Sequence, residues 1–237
     1  MSKITQSVKK IFQRIKEAHK HQQLARRNEI RVAKEDLHRV KIRIRGEGNV
    51  VHIGKLTPGS GSIEIRITGN GNRVHLAEGI SVSSSLKISV GAPASTLGPV
   101  TDVDVSIGAG SGFESTSILT YNSHASIEIG ERCMFSFGIQ IYHTDGHAIM
   151  DTETGKIINP VRKLVIGNHV WVGAHVTIMK NTQIGNDCIV GWGAVISGRH
   201  PDSNCIYAGN PATLRKTGIT WEVNGAKCGY IANEGTN

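Results

Sequence analysis

From residue 166 to 196 an aliphatic side chain recurs at every sixth position: Ile166, Val172, Ile178, Ile184, Val190 and Ile196. Four residues after each of the first five stands a small or β-branched residue, namely Val170, Val176, Thr182, Cys188 and Ala194. An α-helix repeats near 3.6 residues and a strand at about 2, so neither produces a period of six. A repeat this short indicates a solenoid, in which each turn buries the apolar face of its neighbour. Composition agrees, with 28 glycines in 237 residues and only 5% aromatics. Coil corners need glycine, and a narrow interior takes Ile and Val better than rings.

The same pattern runs back along the chain in weaker form. Val40, Ile42 and Ile44 alternate with Lys41, Arg43 and Arg45, and Ile63, Ile65 and Ile67 repeat the alternation after a Gly-Asn turn. Hexads recur at Leu76, Val82 and Ile88, at Ile107, Phe113 and Leu119, and at Ile129, Phe135 and Ile141. The breaks around 91–104 and 121–125 read as insertions at coil corners, and the longest break lies between Ile141 and Ile166. Corner insertions of this kind build binding and catalytic sites on a rigid scaffold. The expected organisation is a helical arm at 1–39, a β-helical domain at 40–221 with a loop insertion at 142–163, and a tail at 222–237.

Charge divides the chain. Residues 1–39 hold 11 Lys and Arg against 4 Asp and Glu, and the rest hold 16 against 15, within a net charge of +8. A near-neutral solenoid argues against a nucleic-acid-binding body, which would need a basic stripe on the fold itself. In the arm, Ile4, Val8, Ile11, Phe12 and Ile15 share one helical face. Two readings stand side by side: a helix packed on the solenoid or on another copy, and a basic arm touching an anionic membrane or substrate. Neither a signal peptide nor a membrane span is expected, so the expected location is the cytoplasm, at most peripheral on the inner face of the membrane. Cys133, Cys188, Cys205 and Cys228 form no CxxC pair and read as reduced thiols.

Four features carry a resemblance: the ladder Ile166–Ile196, the loop Asp145-Gly146-His147, the coil opening Val170-Trp171-Val172-Gly173, and the closing Ala208-Gly209-Asn210-Pro211-Ala212. Together they resemble the hexapeptide-repeat acyltransferases, strongly over about 127–221 and more weakly back to about 40. The loop Asp-Gly-His-Ala-Ile-Met-Asp with its following Ile-Asn-Pro is similar to the bacterial enzymes that O-acetylate capsular and other surface glycans, the polysialic acid O-acetyltransferases among them. The resemblance implies an all-β fold, a left-handed parallel β-helix, assembled as homotrimers. Acetyl-CoA would lie between neighbouring β-helices and the acceptor would be a glycan, polyanionic if it is polysialic acid. No metal is expected.

Transfer to a sugar hydroxyl needs a base, an oxyanion donor and two positioned substrates. His147 matches the family's base, and histidine suits that role because its pKa lies near working pH. Asp145 is a candidate to orient it, or a turn cap. His143 and Tyr142 are expected to line the acceptor pocket. Trp171 is expected beside the thioester, acting through its backbone N–H, its indole N–H or its ring. The resemblance points to Ala174 for the pantetheine arm, with Ser197 and Gly198 further along the same groove. Arg199, Arg215 and Lys216 are candidates for the phosphates, or members of a solvated face. Trp192 departs from the family, which has a small residue there, and would stack on adenine or narrow the groove.

Rival readings are a zinc hydratase drawing on His143, His147, His169 and His175, an N-acetyltransferase of a nucleotide-linked amino sugar, an O-acetyltransferase of a small saccharide, and a non-catalytic trimeric scaffold. The zinc reading suffers from spacing: His169 and His175 are six residues apart, whereas stacking on one face needs a full turn.

Overall fold

Strands one turn apart in sequence pair in parallel and in register, and this stacking generates the whole architecture. The structure, a computed structural model, describes residues 27–92 and 98–223. One face of the solenoid is an eight-stranded sheet that begins Glu29–Val32, Val50–Ile53, Arg73–Leu76 and ends Gln183–Ile184, Arg199–His200. A 13-stranded sheet forms the other two faces. Its second-face strands include Met134–Phe135, Trp171–Val172, Ile189–Val190 and Cys205–Ala208, and its third-face strands include Val40–Arg45, Ile139–Tyr142, Thr177–Met179 and Val195–Ile196.

The ladder of sixes is the core of this prism. Ile166, Val172, Ile178, Ile184, Val190 and Ile196 are all buried, as are Val170, Val176, Thr182, Cys188 and Ala194 between them. Burying each Val or Ile contributes roughly 1.5–3 kcal/mol. Three residues after successive ladder positions the backbone turns left-handed, at His169, His175, Asn181 and Asp187, and at Gly193. Where first-face strands end, coils approach closely: a Cβ on Gly130 would meet Gly167 O at 2.6 Å, and one on Gly167 would meet Asn186 N at 2.8 Å. Only glycine admits that contact.

Two expectations are corrected. Residues 1–26 of the expected helical arm lie outside the described residues, but Glu29–Val32 is a strand paired with Val50–Ile53, and Lys34–Asp36 is one 3-10 turn. Among the described residues the solenoid therefore begins at Glu29 and not at Val40. Ile30 and Val32 alternate with Glu29 and Arg31, and the next coil offers backbone partners that a helix would forgo. The hexad at Leu119 also slips. A bulge between Val82 and Ser85 shifts the pairing of Ser81–Val90 with Gly112–Thr120, so Ile118 is buried on Ile88 and Ile141 while Leu119 turns outward. Cys133, Cys188 and Cys205 are free and buried, and burial raises the Cys133 thiol to about 11. Cys228 lies outside the described residues. Among those residues no helix is long and apolar enough to cross a membrane.

The N-terminal coils carry a buried asparagine ladder. Asn28 Oδ1 accepts from Asn49 N and Asn49 Nδ2, each at 2.9 Å, and Asn49 Oδ1 accepts from Asn72 N at 3.0 Å and Asn72 Nδ2 at 2.9 Å. Asn72 Oδ1 then accepts from Val103 N at 3.1 Å. Each amide satisfies corner backbone that the sheets leave unpaired. Asn49→Ala strands the donors on Asn72 and takes the amide donor from Gly69 O, while Asn28 Oδ1 keeps the backbone N–H of residue 49. It is expected to lower stability by about 1–3 kcal/mol in urea unfolding, with the slope of the transition unchanged.

Candidate active site

Most coils need 16 to 23 residues to return to the first face, but Ser126 pairs with Lys163 across a far longer span. The excess emerges at the corner between the third and first faces, after Ile139–Tyr142, and returns at Lys163–Ile166. Its tip is a turn: Asp151 Oδ1 accepts from Glu153 N, Thr154 N and Thr154 Oγ1, and Met150 bridges Ile157. The root of the loop is held by the next coil. Lys180 Nζ donates to Asn159 O at 2.8 Å and pairs with Asp145 Oδ2 at 2.6 Å. Asn181 Oδ1 accepts from Arg162 N at 2.6 Å while its Nδ2 donates to Pro160 O at 2.9 Å. Asn159 Nδ2 crosses the loop to Asp145 Oδ2 and His147 O.

This lattice fixes where His147 stands. Its ring is exposed, and it borders a groove of about 470 Å³ with Asp145, Gly146, Tyr121, Asn122 and Pro160. Asp145 gives its carboxylate to Lys180 and Asn159, so its action on His147 runs through the loop backbone. Burial works against ionising Asp145, but the hydrogen bonds from Lys180 and Asn159 and the Lys180 charge outweigh it and hold the carboxyl below its usual range.

His143 is corrected from acceptor contact to buttress. It is fully buried, with Nε2 donating to Arg162 O at 3.1 Å and Nδ1 accepting from Asn181 N at 3.4 Å. That pattern is the neutral ring with its proton on Nε2. Burial, chiefly, and the Lys180 charge push its pKa down, against the bond to Arg162 O. Tyr142 does face outward, 39% exposed, at the end of its strand.

Trp171 opens the strand Trp171–Val172 on the second face and is 36% exposed. Its backbone N–H donates to Cys188 O at 2.9 Å, which removes it as an oxyanion donor and leaves the indole N–H and the ring. Trp171 borders a groove of about 650 Å³ with Met134, Glu114, Arg132, His169 and Trp221. The two grooves are separate, neither being lined by both His147 and Trp171.

The expected cofactor residues divide between corners. Ala174 and Trp192 sit in adjacent coils where the second face meets the third. The Ala174 side chain is buried, so only its backbone could reach a ligand, and its carbonyl already accepts from Gly193 N. Trp192 is 70% exposed and rests edge-on to Phe137 at 5.6 Å, with His175 at 5.8 Å. Ser197, Gly198 and Arg199 are exposed in the coil after Lys180 and Asn181, on the His147 corner. Arg215 and Lys216 are exposed on the antiparallel strand Thr213–Thr217 beside Cys205–Ala208, and Arg215 Nε donates to Ala208 O. The histidines of the zinc reading are dispersed: His143 is buried, His169 pairs with Asp187, and His175 packs on Phe137.

The sequence signal for the loop's anchors is their position. Lys180 and Asn181 stand at the outward corner positions of the first coil after the insertion, where a loop root must be fastened. Trp221 lies outside the repeat and left no such signal. It folds back so that its indole N–H donates to His169 O at 2.8 Å and its ring stacks on His169 at 4.2 Å, 6.0 Å from Trp171.

Comparison with known proteins bears on the repeat and on the fold. The family model "Bacterial transferase hexapeptide (six repeats)" matches residues 163–198. A polysialic acid O-acetyltransferase of Escherichia coli O1:K1 / APEC is 32% identical over 112 residues, 47% of this chain and 34% of that protein. One from Neisseria meningitidis is 44% identical over 62 residues, 26% of this chain and 29% of that protein. The chain thus spans about a third of the length of the curated relatives it matches. Among solved structures, the polysialic acid O-acetyltransferase OatWY superposes with a TM-score of 0.61 at 26% identity, over 83% of this chain and 88% of that one. The polySia-specific acetyltransferase NeuO gives 0.62 at 24% identity, over 79% and 90%, and so bears on the fold alone.

The buried neutral His143 makes the loop root sensitive to acid. Above the ordinary histidine pKa of 6.5 the ring is neutral whether the chain is folded or not. As pH falls below that value the unfolded chain takes up a proton the folded chain refuses, so stability declines until the depressed folded pKa is reached. The drop in thermal midpoint between about pH 7 and about pH 5 is expected to be larger in the native chain than in His143→Gln. Equal drops would remove His143 as the source.

Proposed function

We propose that this chain is an acetyl-CoA-dependent O-acetyltransferase acting on sugar hydroxyls of a bacterial surface polysaccharide, built on a left-handed β-helix and active as a homotrimer. Residues 163–198 carry the transferase hexapeptide repeat, and the likeness to polysialic acid O-acetyltransferases in sequence and in fold supports the reaction class. The observation that carries the reading is the exposed His147, held at an open groove by a loop whose root the next coil fastens through Lys180 and Asn181.

The chemistry follows from those groups. The His147 ring accepts the proton of the acceptor hydroxyl as its oxygen attacks the thioester carbonyl. A tetrahedral oxyanion forms, and the Trp171 indole N–H of a neighbouring copy is the donor that stabilises it. Collapse expels the CoA sulfur as thiolate, which recovers the proton from His147, leaving the acetyl ester and free thiol.

Because His147 and Trp171 line separate grooves of one chain, the working site joins two copies. Trp171 and Trp192 flank the second face of one copy. The neighbour brings its His147 corner, with Ser197, Gly198 and Arg199, against that face, and acetyl-CoA lies in the seam. The loop tip offers a docking surface for this: Ile149, Met150, Ile157 and Ile158 are each at least half exposed.

His147→Ala and Trp171→Ala are each expected to abolish thioester release with acetyl-CoA and a glycan acceptor. Unfolded together and reassembled as mixed trimers, the two inactive variants are expected to regain about a quarter of native activity, since a site is whole when an intact His147 meets an intact Trp171 across the seam. No recovery, with mixed trimers verified by mass, would put both residues in one chain's site. Near-native activity of His147→Ala alone would remove it as the base.

A further inference from the structure

The strongest feature outside the proposed site is a basic groove on the third face. Val40–Arg45 pairs with Ser62–Asn70, which pairs with Ser81–Val90, and the outward side chains of these strands include five cations among hydroxyls and one carboxylate. Lys41, Arg43, Arg45, Arg66 and Lys87 are exposed there. Arg43 stands directly across from Arg66, while Lys41 and Lys87 flank Glu64 on either side. Like charges opposite one another in a ladder are destabilising, and alternation of sign would cost the sheet nothing.

One carboxylate joins Arg43 and Arg66. Glu64 Oε1 accepts from Arg43 Nη1 and from Arg66, whose Nε and Nη2 reach it at 3.2 and 3.1 Å. The arrangement fans two guanidinium groups around one acceptor at the edge of a groove that both arginines line. Arg43, Arg45, Arg66, Thr68 and Ser89 line a cavity of about 310 Å³. Planar guanidinium forks beside hydroxyl groups match a carboxylate on a sugar, because Arg binds that group through two parallel hydrogen bonds.

The register then points from this cavity to the chemistry. Arg43 pairs with Arg66, Arg66 with Ser89, Ser89 with Leu119, and Leu119 with Tyr142. These outward residues form one column across the face, and at Tyr142 it reaches the root of the loop that carries His147. Four strand spacings make the distance along it about 19 Å. That is a span of several sugar units, too long for one monosaccharide to touch both ends.

We propose that the Arg43–Arg66 groove is a subsite for the acidic groups of an extended anionic polysaccharide, which runs along this column so that another of its sugars lies in the His147 groove. This rests on the acyl-transfer reading above, and adds that polymer length and charge are recognised four strands away from the reaction. The neutrality of the solenoid as a whole hid the groove in the sequence, since its cations are balanced by acids on other faces.

The test is direct binding to the full chain, measured by calorimetry with four probes: a sialic acid oligomer of about ten or more units, sialic acid monomer, neutral dextran, and poly(U) RNA. The oligomer is expected to bind more tightly than monomer or dextran, with an affinity that falls as salt is added. Arg43→Gln with Arg66→Gln is expected to weaken oligomer binding by roughly tenfold or more, and Arg43→Lys with Arg66→Lys by less. Adding Glu64→Gln to the glutamine pair removes the stranded carboxylate and is expected to leave the oligomer just as weakly bound. Recovery of binding in that triple variant would trace the loss to Glu64 and overturn the proposal. So would native affinity in the double glutamine variant, dextran binding as well as the oligomer, or RNA binding more tightly than the oligomer through these arginines. Acetyl transfer by the unaltered chain to a short neutral saccharide tests the reaction separately, so either reading can fail alone.

Discussion

Parallel strands one coil apart exchange backbone hydrogen bonds on every face, and each inward side chain lands on its counterpart in the next coil, Ile166 on Ile184 and Ile178 on Ile196. That stacking sets the tolerance for everything else. Coils can sit this close only where corners lack a Cβ or where a left-handed residue reverses the chain. Corner backbone that the sheets leave unpaired must find side-chain partners, which Asn49 and Asn72 supply early in the solenoid and Asn168 and Asn186 supply later. A prism held in this way is rigid along its axis, and outward residues on it have fixed neighbours.

Rigidity explains why a long insertion can be a precise site. The loop after Tyr142 has little apolar burial of its own, and its tip residues are exposed. Its position comes instead from the following coil, where Lys180 and Asn181 fasten it at four points, and from His143 beneath it. The side chain that faces the groove, His147, makes none of these bonds. The groups that hold the loop and the ring proposed as base are thus different residues, and the His147 ring stays outside the hydrogen-bond lattice that positions it.

From Ile166 to Ile196 the ladder of sixes is fully legible because its period belongs to the backbone geometry, and each of those six residues is buried. Legibility failed where local pattern competed with pairing. Ile30 and Val32 fit a helical face and a strand equally well, and the backbone of Val50–Ile53 decided for the strand. Leu119 kept the hexad in sequence, but a bulge on the neighbouring strand gave the core to Ile118. His143 looked like a pocket residue because it is polar and lies beside the loop, whereas its burial depends on the coil that folds over it. Trp171 was placed on the outer surface as its hexad position required, yet the use of its backbone N–H by Cys188 is a property of the sheet.

The sequence alone determined the solenoid, its inward column and the loop that carries His147, because each follows from a short-range repeat or from its interruption. Tertiary structure alone decided which residues converge. It separated His147 from Trp171 into two grooves, brought Trp221 back onto His169, and set Arg43 beside Arg66 in a column that runs to Tyr142. The physical reason is that neighbours on a solenoid face are a full coil apart in the chain. Coil length varies with every corner insertion, so side-chain proximity cannot be read from spacing until the coils are stacked.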